Sequence, residues 1–155
     1  MGARVRLDHV AIPAERPQEV AAFYRDFLGL ALTHAGTLPP LGAFAFLSAD
    51  HDPAHQTLNL MTNARARHTG WAVATLADLK ALYADARARA IPIDVALNHG
   101  VTLSLYLRDP EGNSVEVFWP TGNRPAGAFA RPFDPELLAG PDATLLALAA
   151  AAPDA

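Results

Sequence analysis

The chain has no cysteine. That excludes disulfides, thiolate metal sites and a cysteine nucleophile. It has no excess of basic residues either: the formal net charge is −4, and no basic stripe marks a nucleic-acid surface. Apolar runs long enough to span a membrane are missing, as is an N-terminal signal pattern, so a soluble cytoplasmic protein is the expectation. What remains is ordinary globular material, 51% hydrophobic and 18% charged over 155 residues. This length suits one domain, or two small similar modules sharing a core.

The pattern favours two modules. Arg4–Ile12 alternates as a strand, with Leu7, His9 and Ala11 on one face and Val10 and Ile12 on the other. Pro17 suits the first turn of a helix whose stripe is Val20, Phe23, Tyr24 and Phe27, and Gly29 is placed to end it. Three strands follow, over Ala31–Thr37, Gly42–Ser48 and Gln56–Met61. The same grammar then restarts. His68–Ala74 reads as a strand, Thr75 with Asp78 as a capping box, and Leu79, Leu82, Tyr83 and Ala86 as a helical stripe. Ile91–Ala96 is a short strand, and Thr102–Leu107 with Ser114–Trp119 form a hairpin around Asp109-Pro-Glu-Gly-Asn113.

The order is βαβββ twice, with one module over about residues 4–63 and the other over about 67–121. The fold class is therefore α+β: paired modules forming a cupped mixed sheet with helices on its outer face. Residues 1–123 make the domain. A Pro- and Gly-rich loop and a short Ala- and Leu-rich helix occupy 124–155, packed on the body, used in the contacts of a homodimer, or left as an unstructured tail.

If each helix covers the bulkier apolar face of its strands, His9, His68 and Glu116 all fall on the opposite face. A carboxylate in the apolar strand Ser114–Trp119 is costly to bury unless paired or bound to a cation. Alone, Glu116 would read as a solvent-facing residue and His9 as a partly buried strand histidine. Together with His68 they match a 2-His-1-carboxylate site with open positions, a pattern typical of non-haem Fe(2+).

These residues carry a family resemblance. LDHVAI with YRDFLGL, RHTGWAV, and HGVT leading into LYLRDPEGNSVEVF resemble the vicinal oxygen chelate superfamily, which includes glyoxalases, extradiol dioxygenases and bleomycin-resistance proteins. The resemblance covers Arg4 to about Pro120 and is finer to the extradiol ring-cleaving dioxygenases. It implies His9, His68 and Glu116 as ligands of Fe(2+), or of Mn(2+) or another divalent ion. It also implies an active-site tyrosine ten residues before the glutamate, here Tyr106, and an active-site histidine in the His99-Gly-Val-Thr102 run. Phe118 shares the Glu116 face and would line the pocket.

One departure stands out. The ring-cleaving enzymes commonly carry a His-His pair at the start of the fourth strand, where this chain has His55-Gln56. Gln56 can hydrogen-bond substrate but cannot shuttle a proton, so His55 or His99 must do so if the chemistry is retained. The resemblance implies a small aromatic catechol and O₂ as reactants. A glyoxalase-like lyase or isomerase is the first alternative; it would add a fourth-strand carboxylate, which Gln56–Met61 lacks. A non-catalytic binding or resistance protein of the same fold is the second.

Overall fold

A computed structural model describes residues 5–52, 55–125 and 130–151. The chain divides into two compact units. One runs from Asp8 to Gly70; the other joins the residues up to Leu7 with those from Trp71 onward.

The Asp8–Gly70 unit holds most of β1 (Val5–Pro13), then α1 (Pro17–Leu28), β2 (Ala31–Leu38), β3 (Gly42–Ser48) and β4 (Leu58–Met61). Their order in the sheet is β2-β3-β4-β1. β2–β3 and β3–β4 are antiparallel, whereas β1 runs parallel to β4 with Val10 opposite Leu58 and Ala11 opposite Asn59. The sheet is thus mixed. Its core packs Ala21 of α1 on Ala45, Leu47, Leu58 and Leu60, with Val10, Val20 and Tyr24 at the margin.

α1 begins at Pro17 and stops at Gly29, whose φ of 74° is the left-handed conformation that glycine adopts without strain. Its stripe differs from the expected one. Phe23 and Phe27 are 58% and 74% exposed and stack on each other, ring centroids 5.5 Å apart. The buried side is instead Pro17 and Ala21. The small Ala21 lets the helix approach Ala45 and Leu47 closely, and this close face displaces the two phenylalanines outward. Ile12 is likewise more exposed than its alternation suggested, at the end of β1.

β5 (His68–Val73) carries the chain from one unit into the other. The second unit continues with α2 (Leu76–Ala88), β6 (Ile93–Asn98), β7 (Thr102–Arg108) and β8 (Ser114–Pro120). The pairs β8–β7, β7–β6 and β6–β9 are antiparallel, where β9 is Arg131–Phe133. Leu76, Leu79, Tyr83 and Ala86 of α2 are buried, and Leu79 and Tyr83 share a core with Ala96, Leu103, Leu105 and Val117. The capping box is present in both directions: Thr75 Oγ1 accepts from the Asp78 N–H at 3.1 Å, and Asp78 accepts from the Thr75 N–H at 3.2 Å. Thr75→Ala should cost about 1 kcal/mol in urea unfolding, the usual value of such a cap.

After Pro120 the described residues hold the expected short helix and two further elements. These are β9, a 3-10 turn (Pro135–Ala139) and α3 (Asp142–Ala150); residues 126–129 and 152–155 lie outside the described set, as do Met1–Arg4 and 53–54. Leu138, Leu145 and Ala149 join the core of this unit. Among the described residues no helix is long and apolar enough to cross a membrane.

Candidate metal centre

His9 projects from β1 on the face opposite the Val10 core, and His68 opens β5. Both belong to the Asp8–Gly70 unit. Their Nε2 atoms are 3.0 Å apart, and the rings meet edge to face. The other nitrogen of each ring is already engaged. His9 Nδ1 lies 3.3 Å from Asp8 Oδ2, and His68 Nδ1 lies 2.7 Å from the Ala66 carbonyl oxygen. A carboxylate and a carbonyl only accept, so in uncharged rings the protons sit on Nδ1. That leaves the two Nε2 atoms turned toward each other, 3.0 Å apart.

Two nitrogens each about 2.1 Å from one ion and at right angles would stand about 3.0 Å apart. The donor set therefore fits a divalent ion. The carboxylate and carbonyl behind the rings are the partners that orient metal-bound imidazoles and raise their basicity.

Gly70, which had no role in the sequence reading, makes room for this pair. A Cβ built there would come within 2.1 Å of His9 Cε1 and 2.4 Å of its Nε2. The imidazole lies flat over a position that only glycine can occupy. The one hint available was its alternation with His68 on the same strand face.

In the second unit, Glu116 is 4% exposed in the middle of β8, directly opposite Tyr106 of β7. It is not solvent-facing. Val117 packs in the α2 core with Val115 and Trp119 against it, so Glu116 and Phe118 take the other face. The Tyr106 hydroxyl donates to the Glu116 carboxylate; burial first, then that charge and hydrogen bond, push the phenol well above its usual pKa. His99 Nε2 stands 3.3 Å from the same hydroxyl. Phe118 is buried two residues beyond Glu116.

His55 lies elsewhere. Its Nδ1 is 2.6 Å from Asp50 Oδ2 and its Nε2 is 3.4 Å from Asp8 Oδ1. Hydrogen bonds from Ser48, His55 and the Asp52 N–H hold the Asp50 carboxyl well below its usual range. Burial works to lower the His55 pKa, but the Asp50 hydrogen bond and the charges of Asp8 and Asp50 outweigh it, and the pKa is raised. Gln56 precedes β4 instead of lying on it, because that strand begins at Leu58. Asn59, which the sequence reading passed over, is the one polar side chain of β4. Its register with Ala11 puts it on the His9 face, and its amide oxygen is buried without a hydrogen-bond partner.

The model of the glyoxalase/bleomycin resistance protein/dioxygenase superfamily matches residues 6–117. The chain belongs to this superfamily. It is 32% identical over 122 residues to biphenyl-2,3-diol 1,2-dioxygenase 3 of Rhodococcus globerulus, covering 72% of this chain and 62% of that enzyme. The superfamily fold is also evident in solved structures. A catechol 2,3-dioxygenase superposes with a TM-score of 0.63 at 23% identity, over 83% of this chain and 46% of the other. A Mn(II)-bound glyoxalase from Novosphingobium aromaticivorans gives 0.62 at 18% identity, over 77% and 40%. The chain thus spans about two fifths to three fifths of the length of these superfamily members. Its α+β class, with a mixed sheet, is the superfamily's fold.

Proposed function

We propose that the protein is an extradiol-type dioxygenase that opens the ring of a catechol with O₂, and that His9, His68 and Glu116 hold its divalent ion. Fe(2+) is the first choice for a 2-His-1-carboxylate set, with Mn(2+) as the alternative. The observation that carries this reading is the approach of the His9 and His68 Nε2 atoms to 3.0 Å, each ring held by an acceptor at its Nδ1. The ion would supply Lewis acidity and a template for the catecholate beside O₂.

The remaining roles follow from the side chains. With its carboxylate holding the ion, Glu116 would release the Tyr106 hydroxyl, which would then donate to a substrate oxygen. His99, beside that hydroxyl, is the group that exchanges a proton with substrate. His55 is not, since one of its nitrogens is bonded to Asp50 and the other faces Asp8; it supports Asp8 behind His9. Gln56 contributes a neutral amide to substrate binding, and Phe118 an apolar wall. A glyoxalase-like reaction would draw a fourth donor from β4, where Asn59 offers an amide and no carboxylate.

The test is protein prepared without air, loaded with Fe(2+) or Mn(2+), and supplied with a panel of catechols while O₂ uptake and ring-fission absorbance are followed. Coupled uptake and absorbance changes, lost in Glu116→Ala, are expected. No uptake with any catechol would return the protein to an isomerase or a binder. Tyr106→Phe should leave the fold intact and lower turnover by about 10²-fold, the lower range for a positioned proton-handling group. An unchanged rate in that variant would make the tyrosine structural.

A further inference from the structure

The turn that presents His99 is gripped from outside its own hairpin. His99 N–H bonds the Thr102 carbonyl at 3.0 Å, and Thr121 holds the Gly100 and Val101 carbonyls through its hydroxyl and its N–H, at 2.6 and 2.9 Å. Asn98, the residue before His99, is 1% exposed and uses both ends of its amide. Its Oδ1 accepts from the Gly100 N–H at 2.7 Å, and its Nδ2 donates to the Leu148 carbonyl of α3 at 2.8 Å. Asn123 Nδ2 takes the next carbonyl, Ala149, at 2.8 Å. Both carbonyls belong to the last turn of α3, where the Leu148 carbonyl also takes the Ala151 N–H at 3.3 Å.

At its other end α3 is tied to α2, where Lys80 bonds the Gly140 carbonyl and pairs with Asp142. Leu145 and Ala149 anchor it in the core. The whole helix lies outside the superfamily match, which ends at residue 117.

We propose that α3 is a positioning element for His99: through Asn98 it fixes the turn that sets the imidazole against the Tyr106 hydroxyl. Core cover alone would need Leu145 and Ala149 and no side-chain grip on the final carbonyls. The consequence for turnover rests on the dioxygenase reading; the geometric claim does not.

Asn98→Asp keeps an acceptor for the Gly100 N–H and loses the donor to Leu148. Asn123→Ala releases the neighbouring carbonyl and leaves Asn98 untouched. The readout is the His99 ring in nitrogen-15 spectra of the full metal-free chain, assigned with His99→Gln. In Asn98→Asp that signal should shift or broaden while the His68 signal stays in place, and kcat for a catechol should fall about tenfold with a smaller change in KM. Asn123→Ala should give a weaker version of both, and decides the matter if Asn98→Asp fails to fold. Faster amide exchange in α3 with an unmoved His99 signal would overturn the proposal. A moved signal in a chain whose wild type consumes no catechol would uphold it and remove the dioxygenase reading.

Discussion

Gly70→Ala should weaken Fe(2+) binding by about 10²-fold while the protein stays folded. The added methyl would sit 2.1 Å from His9 Cε1, 2.4 Å from Nε2 and 2.5 Å from Nδ1, well inside contact distance, so the ring must move by more than 1 Å. It is not free to do so without loss, because Asp8 holds one edge and His68 meets the other. A misplacement of about 1 Å typically costs about 10²-fold in a positioned site. The overpacking penalty, about 1–3 kcal/mol, is partly offset by the smaller conformational freedom of alanine in the unfolded chain, about 0.4–1 kcal/mol. Chelator competition and urea unfolding on the same preparation separate the two effects. Wild-type affinity in this variant would mean that His9 does not use the ring position the structure gives it.

His68→Ala separates the same two effects through stability. In the metal-free protein the substitution gives up the bond from Nδ1 to the Ala66 carbonyl and some packing, so the unloaded variant should lose about 1 kcal/mol. The loaded proteins should differ greatly. A ligand present at one hundred times its dissociation constant stabilises the folded state by about 2.7 kcal/mol. Wild type should show that gain on adding Fe(2+), and His68→Ala should show almost none. A structural histidine would leave the metal response intact.

Much of this was legible in the residues. Alternation located the strands, because a buried helix-facing side imposes period two on β7 and β8 and leaves Glu116 and Tyr106 on the other face. Gly29 and the Thr75–Asp78 pair marked helix ends through local backbone chemistry. The errors share a cause. The α1 stripe was read by size, and the large Phe23 and Phe27 outvoted the small Ala21, although closeness of approach decided which side was buried. Gly70 carries no side chain to signal that His9 lies over it. Asn98 and Asn123 bond backbone carbonyls 50 and 26 residues away, so no local spacing announces them. β9 is three residues long with a central proline, below the length at which alternation can be read.

X-ray absorption at the iron edge, on Fe(2+)-loaded protein kept from air, tests the central claim most directly. The account predicts the scattering signature of two imidazoles in wild type, and in His68→Ala little bound iron and no two-imidazole signature. An oxygen-only shell, or a spectrum that does not change between the two proteins, would contradict it.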